Sequence, residues 1–189
     1  AQCNQIEVNI RDHVHGTDGV AAITGVGMVR LTSGSASGAT LDIVLTSYIA
    51  TYPKIIIELR NFIPVSNVVD LYCRFSTNGG SSYDSGGSDY DYFNGGVNYT
   101  AFIPILDATN ISNAATGGIN VVAELFNPAS AALFTGLGWR CGYRSCTTDS
   151  SGALEGYGRR RVAQDTDAVR FYFSSGNISS GTYAVYGML

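Results

Sequence analysis

Apolar and polar residues alternate with period two through most of this chain. Near the C-terminus Val169, Phe171 and Phe173 alternate with Arg170, Tyr172 and Ser174, the signature of a strand with one buried face. After a stretch rich in Gly, Ser and Asn, Tyr183, Val185 and Gly187 resume that phase towards Leu189. The pattern predicts a terminal hairpin that closes a sheet edge. Upstream, Ile6, Val8 and Ile10 alternate with Glu7, Asn9 and Arg11, and Leu41, Ile43 and Leu45 predict another strand. Ile55, Ile57 and Leu59 predict a further one, with Pro53 at its beginning, where a missing N–H does least harm. Strands are also expected at Val68–Ser76, Tyr90–Phe93, Tyr99–Ile105, Ile119–Phe126, Leu133–Tyr143 and Gly156–Val162, with a short one at Met28–Leu31. One helical turn is expected within Asp107–Ala115. Evenly spaced strands without a helix-period window indicate an all-β protein, an antiparallel β-sandwich of jelly-roll-like form.

Residues 12–40 pass through GTDG, TGVG and SGSASGA, which read as connector. The chain therefore divides into an N-terminal strand and Gly-rich attachment segment, 1–30, and a β-sandwich domain, 31–189. In Ile55, Ile56 and Ile57 both strand phases are apolar, so both faces of that strand need cover, from a loop or from another subunit. Asn78 and Gly79 follow the strand pattern LYCRF and predict a hairpin turn. The spacing Ser76, Asn78, Gly80, Tyr83 resembles the Asp-box hairpin of sialidases and many secreted β-proteins, with Asn and Tyr in the Asp and Trp places. That resemblance implies a structural turn and no sialidase activity.

Composition agrees with a turn-rich β protein. The 189 residues include 23 Gly and 12 Tyr, and only 14% are charged. A net charge of -4 argues against nucleic-acid binding, which relies on a basic face. Every basic residue except Lys54 is an arginine. Arg159, Arg160 and Arg161 form the one basic run, read as a strand with an exposed face. No apolar run is long enough to span a bilayer, and the N-terminus lacks the succession of a signal peptide. The four cysteines, Cys3, Cys73, Cys141 and Cys146, lack metal-site spacing. Cys73 lies on the apolar phase and reads as a core residue, and Cys141 with Cys146 is a candidate loop disulfide in an oxidising compartment.

The succession TLDIVLTSY, LYCRFSTNGGSSYDSGGSDYDY and VRFYFSSGNISSGTYAVYGM resembles a β-rich domain found in virion proteins of tailed bacteriophages, in tail fibres and head-surface proteins. It covers roughly residues 31–189. The resemblance implies a non-enzymatic structural protein on the virion surface, made in the host cytoplasm, as head decoration or fibre or as tail fibre. It implies other virion proteins as partners and a homo-oligomer, with a trimer favoured. It brings no catalytic residues.

Candidate chemistry is sparse. His13 and His15 sit two apart, so on a strand both imidazoles face one way and could share a metal ion. HxH segments in some trimeric phage tail proteins resemble this pair, with three copies around an ion on the threefold axis. Asp84, Asp89 and Asp91 offer oxygen ligands for Ca²⁺, although their spacing is not that of an EF-hand and a solvated acidic loop is favoured. Tyr90, Tyr92, Tyr99, Trp139 and Tyr143 offer rings for stacking on a sugar, such as a host cell-surface glycan, with Tyr90, Tyr92 and Trp139 the ligand-binding candidates. No GxSxG, P-loop or dinucleotide fingerprint occurs, and no carboxylate pair stands in a recognisable glycosidase motif. An enzyme is disfavoured. Two other readings remain: a carbohydrate-binding module of a secreted bacterial protein, and a surface adhesin or appendage subunit.

Overall fold

The computed structural model describes residues 27–93 and 97–189. The expected strand at Ile6–Arg11, Cys3, the His13 and His15 pair and most of the attachment segment lie outside the described residues. Twelve strands follow in order: β1 (Met28–Ser35), β2 (Leu41–Val44), β3 (Lys54–Pro64), β4 (Val69–Ser76), β5 (Tyr90–Phe93), β6 (Val97–Thr100), β7 (Ile103–Ile111), β8 (Ile119–Phe126), β9 (Gly136–Arg144), β10 (Ser151–Arg160), β11 (Ala168–Phe173) and β12 (Ile178–Met188). All pairings are antiparallel, and no helix occurs among the described residues.

The strands form an eight-stranded sheet, β1-β12-β3-β8-β9-β10-β5-β6, and a four-stranded sheet, β2-β11-β4-β7. The first four strands of the large sheet, laid over the small one, have the strand order of a jelly roll. Two hairpin units, β5 with β6 and β9 with β10, are added between strands of that frame and double the width of the large sheet. Alternation sets the core. Ile55, Ile57 and Leu59 of β3 and Val121, Ala123 and Leu125 of β8 meet Leu71, Cys73 and Phe75 of β4 and Val169, Phe171 and Phe173 of β11. Full burial of each large side chain contributes about 1.5–3 kcal/mol relative to exposure.

Four expectations change. The terminal strands are not a hairpin: β11 pairs with β2 and β4, while β12 pairs with β1 and β3 in the other sheet. The chain likewise changes sheets between β4 and β5, so the Asn78 turn opens a crossing loop. Gly79 and Gly80 take the left-handed φ values of 68° and 85° that favour glycine there. Ser76 Oγ donates to Asn78 Oδ1 at 2.9 Å, and that same oxygen accepts from the Ser82 N–H at 2.9 Å. The Gly79 N–H is held by the buried Asp167 carboxylate at 2.9 Å. The stretch 99–105 divides between β6 and β7 at another sheet change, and β7 runs through Asp107 to Ile111 where a helical turn was expected. Crossing is favourable because both inner faces are apolar, so a strand gains the same burial in either sheet.

Candidate functional site

The outer face of the large sheet carries the exposed chemistry. Cross-strand register places Glu58, Val122, Arg140 and Glu155 in one row across β3, β8, β9 and β10. Gly142 and Ala153, small residues of the neighbouring row, leave a groove of about 650 Å³ between these side chains. Glu58 is paired with Arg60. Arg140 and Glu155, although direct neighbours, form no ion pair among the described residues.

The same face ends in an aromatic corner on the added hairpins. Arg159, Asp91 and Tyr99 share a row across β10, β5 and β6. Arg159 Nε donates to both Asp91 oxygens, at 3.0 and 3.1 Å, which keeps the guanidinium charged and fixes it in place. Asp91 is only 9% exposed. Arg161 donates from Nη1 to the Ser88 carbonyl at 3.0 Å and stacks 4.2 Å from the Tyr99 ring centroid. Arg159 lies 4.8 Å from the ring of Phe134. A cleft of about 260 Å³ opens here between Tyr157, Phe93, Tyr92, Asp91 and Arg159.

Glycines shape this corner. Tyr157 stands opposite Gly138 and leans over Gly136, where a methyl group would fall 2.0 Å from its hydroxyl. The ring therefore lies across the sheet backbone. Trp139 over Gly156 and Tyr143 over Gly152 repeat the arrangement on the inner face, a cross-strand cover for residues that have no side chain.

The sequence-derived candidates occupy other places. Tyr90 is fully buried, and its hydroxyl accepts the Phe75 N–H at 2.7 Å while donating to the Asp84 carbonyl at 3.3 Å. Burial pushes its phenol pKa well above the ordinary value. That ring bolts β5 to β4 and is closed to ligands. Trp139 is 6% exposed, its indole N–H without a partner among the described residues. Tyr92 is half-buried in the phase of Tyr90 and lines an inner pocket of about 130 Å³ with Trp139 and Tyr143, reaching the edge of the outer cleft. The structure thus turns Tyr90, Tyr92 and Trp139 to the inner side of the sheet, while Phe93 and Tyr157 face the cleft. Tyr157 was missed because β10 reads as SGALEGYGRR, where glycine breaks the alternation, and Phe93 because it ends an expected strand without marking which face it takes. The usable signal was the phase shared by Tyr157 and Arg159.

The acidic and basic runs answer each other. Asp84 pairs with Arg160, Asp89 accepts the Gly86 N–H at 2.6 Å, and Asp91 holds Arg159. The three carboxylates have separate partners, and no group of three or more metal-type ligands gathers among the described residues. Arg160 corrects the exposed reading of the basic run, because it is 3% exposed. Cys73 is buried as expected, and Cys141 and Cys146 are both free thiols, not a disulfide. No protein-family model matches the chain, and no curated protein matches it.

Proposed function

We propose that this chain is a non-enzymatic structural protein on the surface of a tailed bacteriophage particle, in head decoration or fibre or in a tail fibre. The observation that carries the reading is the outer face of the widened sheet, where exposed aromatic and arginine side chains concentrate on two hairpins added to a jelly-roll frame. Rigid aromatic rings and planar guanidinium groups are the side chains that dominate recognition surfaces. The likeness of residues 31–189 to phage virion domains supplies the setting. Homo-oligomerisation, with a trimer favoured, is part of the proposal. Ile56, half-buried on the outer face between Tyr186 and Glu124, is the place for a subunit contact.

Mass spectrometry of purified particles tests the setting: the chain should be present in stoichiometric amounts, and its absence would sink the proposal. The aromatic cleft favours one other reading, a carbohydrate-binding module of a secreted bacterial protein. That alternative predicts a monomer in light scattering and no association with particles.

A further inference from the structure

We infer that the cleft bounded by Tyr157, Phe93, Asp91 and Arg159 is a binding site for a neutral pyranose unit of a glycan. The inference rests on reading this face as a recognition surface. It holds whether the chain rides on a particle or on a secreted protein.

Three observations meet at one place. Tyr157 is 48% exposed and Phe93 68% exposed, although aromatic rings are the side chains with most to gain from burial. Tyr157 is laid across Gly136 and Gly138 and presents its ring to the cleft. The open volume of about 260 Å³ between the rings suits one sugar ring, whose axial C–H face packs on an aromatic face.

The polar floor matches the rest of a sugar. Asp91 receives both its resolved side-chain hydrogen bonds from one donor, Arg159 Nε, so its two oxygens keep lone pairs for further donors. The terminal nitrogens of Arg159 make no hydrogen bond among the described residues and remain available as donors. An acceptor beside a donor, 3.0 Å apart and held rigid, fits a vicinal diol, in which one hydroxyl donates and its neighbour accepts. Hydroxyl groups meet such a site without adding charge to a carboxylate already paired with Arg159 and, at 3.9 Å, Arg161.

Saturation-transfer NMR on the full chain, with a panel of neutral gluco-, galacto-, manno- and N-acetylglucosamine oligosaccharides, tests the site. The expected result is transfer from the protein to the ring protons of at least one member, concentrated on one face of the sugar. Phe93→Ala and Tyr157→Ala should each weaken binding about tenfold, the loss of one stacked ring at about 1.4 kcal/mol per decade. Asp91→Asn should weaken it further by removing the charged acceptor. Val44→Ala, an exposed position on the small sheet, should leave it unchanged. If Tyr157→Ala does not fold, the exposed Phe93→Ala carries the test alone. No transfer to any member, or transfer indifferent to Phe93→Ala, overturns the inference. So does an oligomer that Phe93→Ala dissociates in light scattering, which would assign these rings to a subunit contact. None of these outcomes bears on whether the chain is found in purified particles, so the two proposals fail separately.

Discussion

Arginine in place of lysine has a physical use in this molecule. Arg74, Arg159, Arg161 and Arg170 each lie over an aromatic ring, at 5.1, 4.8, 4.2 and 4.0 Å from the centroids, which a planar guanidinium does while still donating hydrogen bonds from its edge. Arg170 forks onto both oxygens of Asp42 at 2.6 and 2.7 Å while stacking on Tyr83. Arg160 is the extreme case. Buried at the end of β10, it binds Asp84, the Asp165 carbonyl and the Gln164 side chain, and so ties together two loops. Arg160→Ala strands a carboxylate and a carbonyl, so urea denaturation should show a loss of about 3 kcal/mol. Arg159→Ala, at a partly exposed guanidinium whose carboxylate partner keeps Arg161 at 3.9 Å, should lose less, about 1 kcal/mol. Alternation already implies that split, since consecutive strand residues face opposite ways, and a run of three like charges hides it. Cysteine chemistry follows burial too: burial pushes the Cys141 thiol up to about 11 and raises Cys73 further. Alkylation of the native chain near neutral pH, read by peptide mapping, should label Cys146 and spare Cys73 and Cys141 until the chain is unfolded.

Elements depend on what their glycines admit. Gly118, the residue before β8, has φ at 83°, and a methyl group there would fall 2.8 Å from the Phe62 carbonyl oxygen. That neighbour is backbone and cannot rotate away, so Gly118→Ala should cost about 1–3 kcal/mol, seen as a lower denaturation midpoint. At Gly156 the obstacle is the Trp139 ring at 2.4 Å, and an alanine there forces a buried indole to move, with loss of near-ultraviolet circular dichroism. The strands themselves were legible: Tyr90–Phe93 and Ile119–Phe126 coincide with β5 and β8, because period two directly reports a half-buried surface. Their partners were not. Val169 to Phe173 and Tyr183 to Gly187 share a phase that suits a hairpin and suits two facing sheets equally well. The Asn78 turn shows the same ambiguity, since a turn residue fixes local φ without stating which sheet receives the chain. The cleft was less legible again, because its side chains come from β5 and β10, segments that meet only through pairing across the added hairpins.

For the molecule as a whole, solvent pH acts through groups that the fold keeps protonated. Burial raises Cys141 to about 11 and Tyr83 to about 12, from ordinary values of 9.0 and 10.0. Between those limits the folded chain retains protons that the unfolded chain releases, so stability is whole below the ordinary values and falls as pH rises. The thermal midpoint should be level near pH 7 to 8 and decline from about pH 9. Assembly offers a second measurement: if subunits meet at Ile56, Ile56→Asp lowers the mass seen by light scattering, and an unchanged oligomer places the contact elsewhere. The pairing of β1 with β12 sets Met28 opposite Met188, at one edge of the eight-stranded sheet. Tension applied between Met28 and Leu189 would part those two strands like a zipper, one hydrogen-bonded pair at a time, and so at low force. The cleft on β5 and β10 lies towards the opposite edge, about 30 Å away across six strand spacings. A pull between Met28 and Leu189 would spend itself on the first pair of strands and leave the aromatic corner at rest.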